Sequence, residues 1–388
     1  MTEGFLGPHS LLQRRKDFRM YLMSELVLFS PLIIYACVRI RKLIPGTILK
    51  NLFVLFYILL FFGYPIAELL SHRDATGWFR WAMIAGYYCL PYLLYIILSV
   101  AAIDIGILIL RILNILRADT VSGAVFRYVR LSGCLILPAL IVFAGAWNNN
   151  RLAVKEYSIK LPRRSSTENE LKIVFASDFH LSRITGSRLV ERFVSKVNAL
   201  HPDIVLIGGD VLEGHGIENL NEFETQFSGI IARYGVYAAP GNHERYGGGR
   251  ENFYTRSGMK YLEDRVEKIG DAFYIAGRKT RRGSQRKPID ELLKDAPEDL
   301  PIILIDHSPT DLENVSRSRV DLQLSGHTHN GQLFPVNLLV MPFRYELAWG
   351  MKSKGNSIFI VSCGLQAWGP PVKTAGTSEI LLIKAVFQ

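Results

Sequence analysis

Five of the nine histidines in this 388-residue chain lie in short polar segments that directly follow apolar runs. His327 and His329 stand one residue apart in LQLSGHTHNGQLFP, so on an extended backbone both side chains address the same target. Asp178 and His180 repeat that spacing, Asn242 adjoins His243, Asp306 adjoins His307, and Asp210 ends the run DIVLIGGD. His9, His72, His201 and His215 fall elsewhere. One His-x-His pair is usually a solvated loop, but recurrence behind five apolar runs points to a shared site. Asp, Asn and His without a thiolate form an oxygen and nitrogen donor set suited to manganese, iron or zinc. Asp178, His180, Asp210, Asn242, His307, His327 and His329 exceed what one ion needs. Two divalent ions sharing a carboxylate fit the count, with Mn²⁺ the first expectation and Fe or Zn the alternatives.

The elements that must position these residues are equally regular. LKIVFASDFH (171–180), DIVLIGGD (203–210), VYAAPGNHE (236–244), PIILIDHS (301–308) and the run into SGHTH each read as a strand buried on both faces and followed by a loop. Between the first two, Leu189, Val190, Phe193, Val194, Val197 and Leu200 recur at helical spacing. Strand, helix and strand in alternation predict a layered α/β domain, two packed sheets flanked by helices, with ligands gathered at the carboxyl ends of the strands.

Asp178-x-His180, Gly209-Asp210, Gly241-Asn242-His243-Glu244, His307 and Gly326-His327-x-His329, in that order over roughly residues 170–388, resemble the calcineurin-like metallophosphoesterases. With FYIAGRKT and YELAWG, the text is similar to the integral-membrane YkuE- and YaeI-like branch, and to a UDP-diacylglucosamine pyrophosphatase of lipid A synthesis. The resemblance implies that Asp178, His180 and His329 hold one metal and Asn242, His307 and His327 the other, with Asp210 between them. It makes His243 the histidine that faces the phosphate and leaving group. Thr280 stands where that branch usually has aspartate. The chemistry suits the set: paired divalent ions about 3.5–4 Å apart activate water near neutral pH and clamp phosphoryl oxygens. An imidazole such as His243 can protonate the departing oxygen. Glu213 and Asp306 either orient ligand imidazoles or are solvated loop carboxylates.

The N-terminal third has a different composition. Apolar runs at 21–38, 52–70, 78–98 (continuing towards 110) and 131–147 are each about 20 residues, the length that crosses a bilayer. The expected organisation is a tail at 1–19, a transmembrane domain of about four helices at 20–152, a linker at 153–170 and a catalytic domain at 171–388. Arg14, Arg15 and Lys16 precede a run without a small-residue cleavage site, so a retained segment is expected. Four scattered cysteines give no disulfide framework. Much of the positive excess behind the net charge of +10 borders the spans, at Arg39, Arg41, Lys42, Lys50, Arg111, Arg117, Arg127 and Arg130, which suits anionic headgroups rather than nucleic acid. Lysine and arginine counts on the two sides balance, so topology rests on resemblance to exported relatives, which places the catalytic domain outside the cytoplasm. A nucleotide-linked substrate requires the reverse.

Weaker signals remain. GRKTRRGSQRKP (277–288) reads either as a cap loop binding substrate phosphates or headgroups through Arg278, Arg281 and Arg282, or as a solvated turn. Glu25, Glu68 and Asp104 are ionisable groups in or beside the spans. The function expected is a membrane-anchored phosphohydrolase acting on an amphiphilic phospholipid or nucleotide-linked glycolipid, with membrane lipids as partners. The competing expectations are a hydrolase of soluble phosphoesters and a catalytically silent receptor or scaffold. Four spans without a repeat argue against a transporter.

Overall fold

The structure is a computed structural model and describes residues 29–71, 77–182, 185–213, 217, 220–246, 251–280 and 286–388. Two compact units emerge, one from residues up to Pro65 with Cys89–Val142, the other from Ile66–Tyr88 with Phe143–Gln388. Among the described residues five helices come first: α1 (29–43), α2 (Thr47–Ser71), α3 (Trp78–Ile112), the short α4 (Ala118–Ser122) and α5 (Ala124–Asn150).

In the first unit Ala36, Ile40, Phe53, Tyr57, Leu60, Leu93, Ile96, Val100 and Cys134 are buried together, while Leu52, Leu55, Leu59, Leu108 and Leu140 face outward. A surface this apolar suits lipid and not water. Among the described residues, three helices are long and apolar enough to cross a membrane: Thr47–Leu70, Trp78–Ile112 and Ala124–Asn150. The expected first span, 21–38, begins outside the described residues, as do the tail and Glu25. Asp104, a candidate functional carboxylate, is tied down by Arg39, Arg130 and the Tyr35 hydroxyl at 2.5–2.9 Å. That pairing accounts for a charge among apolar helices without a functional role.

The second unit is built on two six-stranded sheets. The first has the order β1 (Ala153–Leu161), β12 (Glu379–Phe387), β2 (Glu170–Ala176), β3 (Ile204–Ile207), β4 (Val236–Ala238), β5 (Met259–Tyr261). The second runs β10 (Gly350–Lys354), β11 (Ser357–Val361), β9 (Leu322–Ser325), β8 (Ile302–Ile305), β7 (Phe273–Gly277), β6 (Arg265–Ile269). The central strands β2 to β5 and β7 to β9 are parallel within their sheets. Ile173, Phe175 and Leu206 of one sheet pack against Ile303, Ile305 and Leu324 of the other. Phe193 of α6 (Arg188–Ala199) and Phe227 of α7 (Leu220–Phe227) cover one outer face. Leu292 of α10 (Ile289–Leu292) and Val315 of α11 (Leu312–Ser316) cover the other. Two short helices, α8 (Asn242–Tyr246) and α9 (Glu251–Arg256), follow β4, and α12 (Val336–Arg344) follows β9.

The expected linker at 153–170 is corrected. β1 occupies its first half and pairs in parallel with β12 over its whole length, so only Arg151 and Leu152 separate α5 from the sheet. The two-residue period was disguised because Lys155, on the inward-facing side, lies over the Trp349 ring at 3.6 Å instead of reaching water.

Candidate metal centre

All seven expected ligands, and His243, lie just past the carboxyl ends of β2, β3, β4, β8 and β9. Reaching one point from five strands requires sharp turns, and the backbone shows them. Asp178, His180, Asp210, His327 and His329 all have left-handed φ, between 45° and 70°. Such residues cost on the order of 1–3 kcal/mol each, and persist where their surroundings over-determine them. Here the turns are latched together: the Asp178 N–H donates to Gly209 O at 2.9 Å and the His180 N–H to Asp210 O at 3.0 Å. Gly241 is required by contact, since a Cβ there would lie 2.1 Å from Asp210 Oδ1.

Three overlapping groups of donors could each hold an ion: Asp178, His180 and His329; His180, Asp210 and His243; Asp210, His307 and His327. Nε2 of His180 and Nε2 of His329 are 3.1 Å apart. Asp178 Oδ1 lies 3.4 Å from His329 Nε2 and 3.9 Å from Nε2 of both His180 and His307. Asp210 Oδ2 is 3.0 Å from His307 Nε2, yet that nitrogen is not aligned for a hydrogen bond, and Asn242 Oδ1 is likewise buried without one among the described residues. The His327 N–H and the Ser177 hydroxyl donate to Asp178, and the His243 N–H to Asp210, but His307 Nε2 and Asn242 Oδ1 stay unmatched among the described residues, as fits a place for a cation. The opposite ring nitrogens are accounted for: His307 Nδ1 meets Gly208 O at 2.6 Å and His329 Nδ1 meets Gln366 O at 3.0 Å. If each Nδ1 carries its proton to those carbonyls, each Nε2 is left as the ligand atom.

The electrostatics divide the histidines. Burial holds His329 down to about 3 and His327 to about 4. Burial also opposes charge on His180 and His307, but Glu213 with Asp210 and Asp178 lifts His180 to about 9, and Asp210 with Asp178 lifts His307 to about 10. Burial opposes ionisation of Asp210 as well, and the facing imidazoles of His307, His243 and His180 still hold its carboxyl well below the usual range. Glu213 Oε2 is 3.3 Å from His180 Nδ1 and its Oε1 3.8 Å from His243 Nδ1, which puts one negative charge beside both rings.

Asp306 does not orient a ligand. Its buried carboxylate meets Arg278 at 3.3 Å and Arg286 at 3.0 Å, and both guanidiniums also reach Asp311. Arg278 is thus committed to a buried ion-pair cluster rather than presented to a substrate, and the reading of 277–288 as a free cap loop is corrected for Arg278 and Arg286. Arg281 and Arg282 lie outside the described residues.

Several supporting residues were not singled out from the sequence. Glu244 accepts from the N–H groups of Asp210, Val211 and Gly241 at 2.6–3.0 Å and from the Tyr254 hydroxyl at 2.9 Å, which fixes the Asp210 turn. Its signal was its place in the Gly-Asn-His-Glu motif. Lys373 is fully buried and donates to Cys363 O and Gly364 O, both at 2.8 Å, holding the loop whose Gln366 carbonyl meets His329. Burial lowers its amine to about 8. Asn149, at the end of α5, accepts from the Ala367 N–H at 2.8 Å. Nothing in the sequence marks these last two.

The sequence profile of the calcineurin-like phosphoesterases matches residues 171–331. An uncharacterized metallophosphoesterase of Aquifex aeolicus is 30% identical over 258 residues, 63% of this chain and 97% of that one. An uncharacterized metallophosphoesterase of Helicobacter pylori is 32% identical over 243 residues, 60% of this chain, and the match spans 64% of that relative's length. Phosphodiesterase YaeI of Escherichia coli is 28% identical over 180 residues, 44% of this chain and 65% of YaeI. Matched to one relative along almost its whole length, the chain belongs to the calcineurin-like phosphoesterase family, the one its strand-end motifs resemble.

Proposed function

We propose that this protein is a membrane-anchored phosphohydrolase that works with two divalent ions on a phosphoester or pyrophosphate of an amphiphilic substrate. The observation that carries the reading is the convergence of buried His Nε2 and Asp and Asn oxygen atoms, with His307 Nε2 and Asn242 Oδ1 unmatched among the described residues, on the strand ends of a phosphoesterase sandwich. Asp178, His180 and His329 would hold one ion, Asn242, His307 and His327 the other, and Asp210, common to two of the three donor groups, would join them. Manganese is the first candidate, and the ions would activate water and neutralise charge on the phosphoryl oxygens.

The chain's own groups do the rest. The Glu213 carboxylate lies beside the Nδ1 atoms of His180 and His243, at 3.3 and 3.8 Å, and His243 Nε2 lies 3.9 Å from Asp210 Oδ2. From there it can hand a proton to the leaving oxygen. The His243 side chain is 15% exposed, against 2% for His180 and 1% for His307, as suits a group that meets substrate.

The favoured substrate is a phosphorylated lipid, because anchoring raises the effective concentration of a hydrolase at the bilayer. An extracytoplasmic catalytic domain agrees with that choice, and a UDP-linked glycolipid would need the cytoplasmic side; protease accessibility in intact and inverted vesicles separates them. The test of function is hydrolysis by the full chain in nanodiscs, with manganese, of a phosphorylated lipid and of a soluble phosphodiester. The lipid should be preferred, and chelation should abolish both activities. Hydrolysis of the soluble ester alone would replace the lipid reading with that of a broad phosphoesterase. Activity on either substrate after chelation would refute the metal centre.

A further inference from the structure

The helix α12 is apolar on the outside. Leu338, Leu339 and Phe343 are 59%, 67% and 88% exposed, and nearby Phe334 and Trp368 are 52% and 51% exposed. The segments that carry Phe334 and Trp368 are bonded to each other just before α12. Gln332 binds the Trp368 N–H and its carbonyl as well as Pro370 O, and Phe334, two residues before α12, donates its N–H to Thr374 at 2.9 Å. Water-exposed apolar patches of this kind mark an interaction surface.

What covers it is indicated by α5. The last turns of this spanning helix rest on the same segment, within the same compact unit. The Lys373 N–H donates to Gly145 O at 3.0 Å, and Asn148 donates to Lys373 O and Gly376 O at 2.9 and 2.8 Å. A Cβ at Gly145 would lie 2.7 Å from the side chains of Val372 and Thr374. Phe143 and Trp147, on those turns, are 68% and 70% exposed, and tryptophan is enriched where a helix leaves the bilayer. The membrane boundary carried by α5 therefore comes to the segment that anchors Phe334 and Trp368.

The same surface borders the donor cluster. The Trp368 ring lies 6.2 Å from that of His243, and Tyr345, just past α12, lies 6.2 Å from His327. Gln366, two residues before Trp368, meets His329.

We propose that α12, with Phe334 and Trp368, inserts into the interfacial layer of the bilayer that holds α5, so that the centre receives a lipid phosphoester from the headgroup plane. Interfacial helices bury their apolar face about 5–10 Å deep, and a helix this short is retained because α5 tethers it. Insertion stands on the exposed surface and its anchoring alone, whereas the choice of substrate rests on the phosphohydrolase reading.

The test uses the full chain in nanodiscs, with an environment-sensitive fluorescent amino acid replacing Phe343. A control carries it at Ile231, which is 74% exposed and precedes β4, at the strand end away from the donors. Brominated lipids should quench emission at 343 and leave 231 unchanged. No quenching at 343, equal quenching at both sites, or a blue-shifted emission lost on dilution, which would assign the face to a second copy, overturns insertion. This readout needs no turnover, so a protein that hydrolyses nothing fails only the functional reading. In the paired variant Leu339→Glu/Phe343→Glu, turnover of a phosphorylated lipid should fall about tenfold with a soluble phosphodiester unaffected. Unchanged lipid turnover would overturn delivery from the headgroup plane.

Discussion

Two buried clusters of charge lie in the phosphoesterase unit, and they are built on opposite plans. Around Asp306, two guanidiniums face two carboxylates, Arg278 and Arg286 against Asp306 and Asp311, so the positive and negative charges balance within the protein. Around Asp210, the acceptor oxygens of Asp178, Asp210 and Asn242 and the Nε2 atoms of the histidines converge, and among the described residues the ion-pair contacts of Asp178 and Asp210 are to histidines and not to arginine or lysine. The first cluster is closed and the second is open. A closed cluster joins segments of the chain, whereas an open one leaves a charge deficit that an external cation can fill. The backbone differs in the same sense, since Asp178, His180, Asp210, His327 and His329 are left-handed, and Arg278, Arg286, Asp306 and Asp311 are not among the positive-φ residues.

The contrast breaks first at Asp210. Asp210→Ala removes an oxygen from two of the three donor groups, and the several kcal/mol supplied by a metal pair translates to a loss in kcat on the order of 10³-fold or more. Steady-state hydrolysis of a soluble phosphodiester measures it, and activity within tenfold of wild type would place the reaction elsewhere. His243→Ala should cost about 10²–10⁴-fold in kcat while leaving bound metal intact, because it removes a proton donor and not a ligand. Loss of metal in that variant would make His243 a ligand instead.

The closed cluster should respond differently. Arg278→Ala leaves buried Asp306 with less compensation and should lower stability by about 3–5 kcal/mol, read from denaturant unfolding, with little change in metal content. A stable Arg278→Ala protein with weakened metal would join the two clusters into one site. The subtlest effect is protonic. Without an ion, the carboxylates facing His307 and His180 outweigh burial and push the two imidazoles up to about 10 and about 9, above the ordinary 6.5. The stabilisation from those protonated rings is complete below pH 6.5 and is lost as pH rises through 9 to 10. An ion must displace these protons, so manganese binding near neutral pH should release about two of them and tighten as pH rises. Calorimetric titration in buffers of different ionisation enthalpy reads that number, and a heat independent of buffer would contradict it.

The open cluster was legible in the sequence because each ligand follows an apolar strand and three of the seven, Asp210, Asn242 and His327, stand directly after a glycine, so type and position were visible together. The closed cluster was not, because Arg278 finds its partners near residues 306 and 311, far along the chain. The basic run 277–288 therefore looked unpaired. β1 was hidden by one inward lysine under a tryptophan. The Asn148 to Asn150 tract shows no local pattern, yet Asn148 and Asn149 bond the loops behind His329. Polar side chains that satisfy distant backbone groups carry no local period by which to find them.

The account depends most on the open cluster being a place for two cations. The direct measurement is the metal content of the full chain, stripped by chelation, reloaded with manganese and freed of excess, counted per chain by elemental analysis beside Asp210→Ala and Arg278→Ala. The account predicts two ions in wild type and in Arg278→Ala, and fewer in Asp210→Ala. Wild-type protein that retains none, or an Asp210→Ala protein that retains as many as wild type, would contradict it.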